Sequence, residues 1–248
     1  MSDSVPLFST RSDAYAEFRP NYPAELFGWL ASQCRQHARA LDIAAGSGQA
    51  SLPLLDHFAE VLACDASDAQ LRGSENWQSV RRFVARAERV PLGNGRLDLI
   101  VVAQALHWFA TPAFFDEARR LLKPDGLFCA WCYSLLSIDP ALDALIRQLH
   151  GETLHGHWPA GRASVDAGYR NIDLPFETVA TPPFAIETNW KLPQLLGYLR
   201  TWSAVKHWQQ AHGEDPVSLL EGELATCWGD PQRGRTVRWP LHLLAGRP

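Results

Sequence analysis

Five short apolar runs, set apart by turn signals and helix-period segments, constrain this chain of 248 residues more than any other feature. The runs at 40–45, 61–65, 80–85, 97–103 and 127–132 are of strand length. Helical apolar spacing is expected over 23–38, where Pro23 opens the segment and Leu26, Phe27 and Leu30 share a face. It recurs over 49–58, where Pro53 confines the helix to a start near itself, over 66–73, and over 112–122 behind Thr111-Pro112. Gly93-Asn94-Gly95 and Lys123-Pro124-Asp125-Gly126 read as turns. Strand alternating with helix means βαβ units, a mostly parallel sheet covered on both faces, and ligand binding at the carboxyl ends of the strands.

Beyond residue 133 the pattern loosens. Residues 135–175 carry no strand signal and are expected as a helical insertion over the rim of the sheet. A strand at 184–190, a long helix at 193–211 with Leu195, Leu199, Trp202 and Val205 on one face, a helix at 217–227 and a strand at 236–244 follow. The two strands are expected to pair antiparallel at the sheet edge. With no repeat or linker, one domain over 1–248 is expected: an N-terminal lid and helix (1–38), a core (39–134), and a cap with the sheet edge (135–248).

Composition narrows the partners. With 23 basic against 27 acidic residues and no basic run, nothing marks a nucleic-acid footprint. The most apolar stretch, 97–106, contains Asp98 and Gln104, so no membrane span is expected, and the first residues lack the basic start and apolar block of an export signal. A cytoplasmic protein with reduced thiols is the expectation for its five cysteines. Cys129 and Cys132 have metal or redox spacing, but they fall on a strand, where positions three apart face opposite sides. His150, His155 and His157 have no carboxylates at regular spacing, so they are expected as a solvated insertion, with substrate contact the next reading and no metal. Ten tryptophans against one methionine suggest an aromatic core or an aromatic-walled pocket.

The chemistry concentrates between Leu41 and Gln49, where LDIAAGSGQ carries a strand into a Gly-x-Gly turn and a helix. Gly46 and Gly48 let a cofactor backbone approach, and Asp65, closing the second strand, suits ribose hydroxyls. A tight turn plus a surface acid is the plain alternative. A dinucleotide site wants a third glycine where this chain has Ser51, and Asp42 would repel a pyrophosphate yet suit an ammonium or sulfonium.

This segment resembles the first motif of the class I S-adenosylmethionine-dependent methyltransferases. Further ordered motifs agree: Ala87-Glu88 before Val90-Pro91-Leu92 with the adenine-side loop, residues 97–108 with the fourth strand and its loop, and 121–126 with the turn into the fifth strand. Tyr15, Arg19 and Tyr22 fall in a stretch similar to the N-terminal lid of a small-molecule subgroup, the type-11-domain and trans-aconitate methyltransferase-like proteins, and Leu196 to Trp202 is also similar to that subgroup. Arg86 departs from the acid many relatives place beside the adenine, and Ala44-Ala45 replaces Gly-Cys.

The resemblance implies an α/β, Rossmann-like methyltransferase fold with a seven-stranded, mostly parallel sheet whose last strand is antiparallel. It implies S-adenosylmethionine held by Asp42, Ala44, Gly46, Gly48 and Gln49 at its amino-acid end, Asp65 at the ribose, Ala66, Ala87 and Glu88 at the adenine, and Gln104 beneath. Tyr15, Arg19, Tyr22, His107 and Trp108 would surround the transferred methyl, with His107 the candidate base. The expected acceptor is a small molecule, apolar and aromatic or a carboxylic acid, favoured by Trp108, Trp158, Trp190 and Trp202 near the rim. The competing readings are a nicotinamide-dependent oxidoreductase and a non-catalytic relative that binds S-adenosylmethionine.

Overall fold

A computed structural model describes residues 20–72, 77 and 79–248, so the expectations for Tyr15 and Arg19 lie outside the described residues. Its elements are α1 (Ala24–Ser32), β1 (Arg39–Ile43), α2 (Ser51–Leu54), β2 (Glu60–Asp65), α3 (Asp68–Arg72), β3 (Val80–Val84) and β4 (Leu97–Ala103). Then come α4 (Pro112–Leu121), β5 (Leu122–Tyr133), α5 (Pro140–Gln148), α6 (Arg162–Asp166), β6 (Glu177–Thr178) and β7 (Phe184–Trp190). The chain ends with α7 (Leu192–Arg200), α8 (Ser203–His212), α9 (Pro216–Trp228) and β8 (Arg235–Arg247).

Among the described residues one eight-stranded sheet runs in the order β3-β2-β1-β4-β5-β8-β6, with β7 also on β8. The first five strands are parallel, and β8 lies antiparallel to β5. The expected count of seven is corrected to eight. β6 pairs with Thr178 opposite Gly246 and β7 with Ile186 opposite Trp239, so two short strands share the outer side of β8.

The edge strand β3 exposes Arg81 and Arg82, whereas the inner parallel strands read as largely apolar runs because both faces are covered. Alternation along β5 shows it: Leu127, Cys129, Trp131 and Tyr133 join the core under α1, α5 and α7–α9, while Phe128, Ala130 and Cys132 join the core under α4. Cys129 and Cys132 therefore sit in opposite cores, and none of the five cysteines is in a disulfide.

Several boundaries differ from expectation. The helix expected to residue 38 ends at Ser32, where the Ser32 hydroxyl donates to the Trp29 carbonyl. The helix expected over 49–58 shrinks to four residues around Pro53, which has no N–H to extend it backwards. The turn at 123–126 instead lies within β5: Leu97 pairs with Leu122 and Leu99 with Leu127, so these four residues bulge opposite Asp98, whose carboxylate receives Lys123 Nζ at 2.6 Å. The helix expected over 193–211 is two helices. Thr201 turns its hydroxyl back to the Tyr198 carbonyl at 2.6 Å and Trp202 is extended (ψ 135°), which tips the second helix away from the first. Residues 135–175 hold α5, one turn of π-helix at Leu149–Thr153 and α6, as the missing strand signal implied. Among the described residues no helix is long and apolar enough to cross a membrane.

Candidate active site

Because β1 to β5 are parallel, the chain leaves each of them at the same rim, and the segments that follow form the site. After β1, Ala44 adopts a left-handed conformation (φ 57°), and Ala45 N–H donates to the Cys64 carbonyl of β2 at 3.0 Å, turning the Gly-x-Gly segment across the end of the next strand. A non-glycine residue held there costs ~1–2 kcal/mol and marks a place where geometry matters more than comfort. Gln104, directly after β4, shares this conformation (φ 58°) and donates its N–H to the Trp131 carbonyl at 2.8 Å.

The two glycines do different things. Gly46 is open on its side-chain face, with Gln70 Oε1 the nearest group at 3.8 Å. Gly48 is closed: a Cβ there would collide with the indole of Trp77, which lies buried across it. Only Gly46 leaves the room for ligand approach that was expected of both.

Asp42 is wholly buried at the base of the turn. Its Oδ2 accepts from Ser51 Oγ at 2.6 Å, while Oδ1 has no hydrogen-bond partner. Burial pushes its carboxyl up to about 7, the Ser51 bond opposes this, and the nearby Asp65 adds to it. Asp65 accepts from Gly46 N–H at 3.0 Å and Ser67 N–H at 2.8 Å, tying the first two rim segments together; burial raises its carboxyl against those bonds. A carboxylate has lone pairs to spare after two such bonds. Ala66 is exposed beside it, Gln49 is half-buried, and Ala87 and Glu88 are half-buried on the segment after β3, where Glu88 faces Arg86 at 3.7 Å.

Buried polar atoms without partners are rare in folded proteins; among the described residues five occur, of which the acceptor Asp42 Oδ1 and the donor Gln104 Nε2 belong to residues at the ends of β1 and β4. An ammonium and a carboxylate on one ligand would satisfy both. With the open Gly46 and the ribose-competent Asp65, the residues present fit S-adenosylmethionine.

Beyond Gln104 lies a cavity of about 440 Å³, its solvent-facing part included, lined by Tyr133, Trp158, Arg162, Tyr198, Trp202 and Ser203 among others. Trp158 and Trp202 meet with ring centroids 5.5 Å apart, and Tyr198 stands edge-on to Trp202 at 6.1 Å. Of the four tryptophans expected near the rim, Trp158 and Trp202 line this cavity. Trp190 packs instead against Trp239 at 4.9 Å, and Trp108 lies beside His107 at 4.8 Å, off the lining.

His107 sits in a single 3-10 turn, Leu106–Trp108, with Nδ1 3.2 Å from the Tyr169 hydroxyl. The backbone N–H groups of Leu106 and His107 also face that hydroxyl. Burial, with the charge of Arg162 adding to it, lowers the imidazolium to about 4. Tyr22 packs edge-on to Trp131 at 5.4 Å and is not on the cavity lining. The histidines divide too. His155 is exposed as expected, whereas His150 is largely buried, its Nε2 accepting from Arg162 Nη2 at 3.1 Å and its ring 5.7 Å from Trp202. Among the described residues no three His, Cys, Asp or Glu side chains are grouped to hold a metal.

Sequence reasoning missed Arg162 and Tyr169, which belong to no motif, and did not single out Tyr198, although it falls within the 196–202 stretch similar to the small-molecule subgroup. One signal was there for Arg162: its spacing from Asp166 is that of a helical ion pair.

A family model described as a methyltransferase domain matches residues 41–130. A protein of Dictyostelium discoideum, provisionally described as a methyltransferase, is 32% identical over 97% of this chain and 94% of its own length. A solved structure from Anaeromyxobacter dehalogenans, provisionally described as a type II methyltransferase, is 40% identical, covers 92% of this chain and 97% of its own, and superposes with a TM-score of 0.87. A malonyl-[acyl-carrier protein] O-methyltransferase of Geobacter sulfurreducens is 33% identical over 47% of this chain and 46% of its own length. Sequence, fold and site agree with these likenesses, and the chain belongs to the class I S-adenosylmethionine-dependent methyltransferases.

Proposed function

We propose that this methyltransferase acts on a small organic acceptor taken into the cavity beyond Gln104. The observation that carries the reading is the cavity itself: Tyr133, Trp158, Tyr198 and Trp202 wall it, and Gln104, whose buried Nε2 has no partner, lines it too. When bound, S-adenosylmethionine supplies a methyl group on a sulfonium, an electrophile with an excellent leaving group.

The residues of this chain then bind and align. Asp42 Oδ1 receives the ammonium, Gln104 Nε2 donates to the carboxylate, and Asp65 accepts from the ribose while keeping its bonds to Gly46 and Ser67. Ala44, Gly46 and Gln49 border the amino-acid end, and Ala66, Ala87 and Glu88 the adenine. Holding acceptor and methyl in line supplies most of the rate in such a displacement. The aromatic walls exclude water from that line.

His107 takes a different part from the base first expected of it. An imidazole whose conjugate acid lies at about 4 is a weak proton acceptor at neutral pH. Its Nδ1 contact with Tyr169 and its packing on Trp108 fix the loop after β4 instead. An acceptor that arrives already anionic needs no proton removed.

The test is incubation of the protein with methyl-labelled S-adenosylmethionine and cell extract. Label is expected in the low-molecular-weight fraction, and label confined to protein or nucleic acid sinks the reading.

A further inference from the structure

We infer that Arg162 selects the acceptor, and that the cavity takes a planar organic acid whose carboxylate meets this guanidinium while its apolar body lies against Trp158, Trp202 and Tyr198. This rests on the cavity being the acceptor site. Among the described residues that line it, Arg162 is the one charged side chain.

Three contacts hold the guanidinium without neutralising it fully. Its Nε donates to Asp166 Oδ1 at 2.8 Å, its Nη2 donates to His150 Nε2 at 3.1 Å, and its Cζ lies 4.3 Å from the centre of the Trp158 ring. Asp166 is partly solvated, which weakens its hold on the charge. His150 is an uncharged acceptor here, since burial and Arg162 itself lower its imidazolium. The flat fork is therefore fixed in plane, with N–H groups beyond these two bonds left for the cavity. A planar carboxylate is the ligand that such a pre-set fork matches. The charge of Arg162 also lowers the imidazolium of His107. A cavity walled by aromatic rings and holding one positive charge disfavours a cationic acceptor and leaves a neutral one without a charged partner.

A purely structural role is the rival account, because Arg162 and Asp166 are four residues apart on α6 and would clip that short helix. The two accounts part at Asp166. If the pair is a clip, removing either member has the same effect. If Arg162 is the anion site, removing its counterion frees more of its charge for the ligand.

The experiment is calorimetric titration of the full chain, saturated with S-adenosylhomocysteine, with benzoate, cinnamate and indole-3-acetate, each against its carboxamide. At least one acid is expected to bind tenfold or more tighter than its amide. Arg162→Gln should erase that preference, and Asp166→Asn should tighten the acid several-fold while leaving the amide unchanged. Retained S-adenosylhomocysteine binding shows that each variant is folded, and the Asp166→Asn result stands if Arg162→Gln does not fold. Equal binding of acid and amide, no saturable binding of any acid, or an acid preference that survives Arg162→Gln would overturn the inference. An acid preference that vanishes in Arg162→Gln, together with label found only in macromolecules, keeps the anion site and overturns the acceptor reading.

Discussion

At Asp42 a single carboxyl group links stability, ligand charge and pH. Its value of about 7 stands well above the 3.8 of a free aspartate, so the folded protein holds a proton that the unfolded chain gives up. The sign follows: the stability Asp42 contributes to the cofactor-free protein is fully present below about pH 4 and is lost as pH rises to about 7, where the folded state must ionise too, and Asp42 adds no further slope above that. The span is on the order of 4 kcal/mol. Asp42→Asn should flatten that part of the profile, and saturating S-adenosylhomocysteine should flatten it in the unaltered protein by pairing the carboxylate with an ammonium. Urea unfolding at pH 5, 6, 7 and 8 checks both, and a slope that persists in Asp42→Asn assigns the titration elsewhere. Asp42, Gly46 and Asp65 were legible because their spacing on strand and turn is local. The division of labour between the glycines was not, since the Trp77 ring that covers Gly48 arrives from another segment.

Between elements, the turn after β4 is held from the insertion. Tyr169, itself left-handed (φ 60°), places one hydroxyl against the amides of Leu106 and His107 and against His107 Nδ1. Tyr169→Phe keeps the buried ring but leaves those groups without their partner, at about 1–3 kcal/mol. Hydrogen exchange should show the amides of 106 and 107 opening faster, with β1 and β2 unchanged, and equal protection of that turn in both proteins would place its support elsewhere. No motif announces such a clamp. Helix identity proved easier to read than helix continuity. The face formed by Leu195, Leu199, Trp202 and Val205 is buried as the 3.6-residue period requires, yet the break at Thr201 comes from a side-chain bond to the backbone that periodicity does not sense. The bulge at 123–126 is similar: proline and glycine marked a departure from regular pairing, and only the partner strand shows that the ladder resumes.

Across the whole molecule, an unbroken file of rings joins the sheet to the cavity. Trp239 on β8 donates through Nε1 to the Tyr198 hydroxyl at 3.1 Å, Trp190 packs on both, and Tyr198 passes the contact to Trp202 and on to Trp158. Trp239 is the sheet end of that file. Trp202→Leu should cost about 1–3 kcal/mol of stability. The same change should weaken binding of the planar acids several-fold while moving S-adenosylhomocysteine affinity less than twofold. Calorimetry with the two ligands separates these effects, and equal losses for both would mean the file supports the entire rim. The parallel half of the fold was legible because strand and helix alternate in short, regular units. The cap was not, because its walls come from residues 133 to 203, brought together only by tertiary packing.

The last sheet position, divided between β6 and β7, bears on how copies of this chain meet one another. An open strand edge is a template for another chain, and a long, flat one invites aggregation. Here one outer edge is broken into a two-residue and a seven-residue strand, and the link between them contains Pro182 and Pro183, which have no N–H to offer. At the opposite edge β3 exposes Arg81 and Arg82. The Thr181-Pro182-Pro183-Phe184 segment thereby serves colloidal stability: it helps keep a sheet of eight strands from recruiting a ninth.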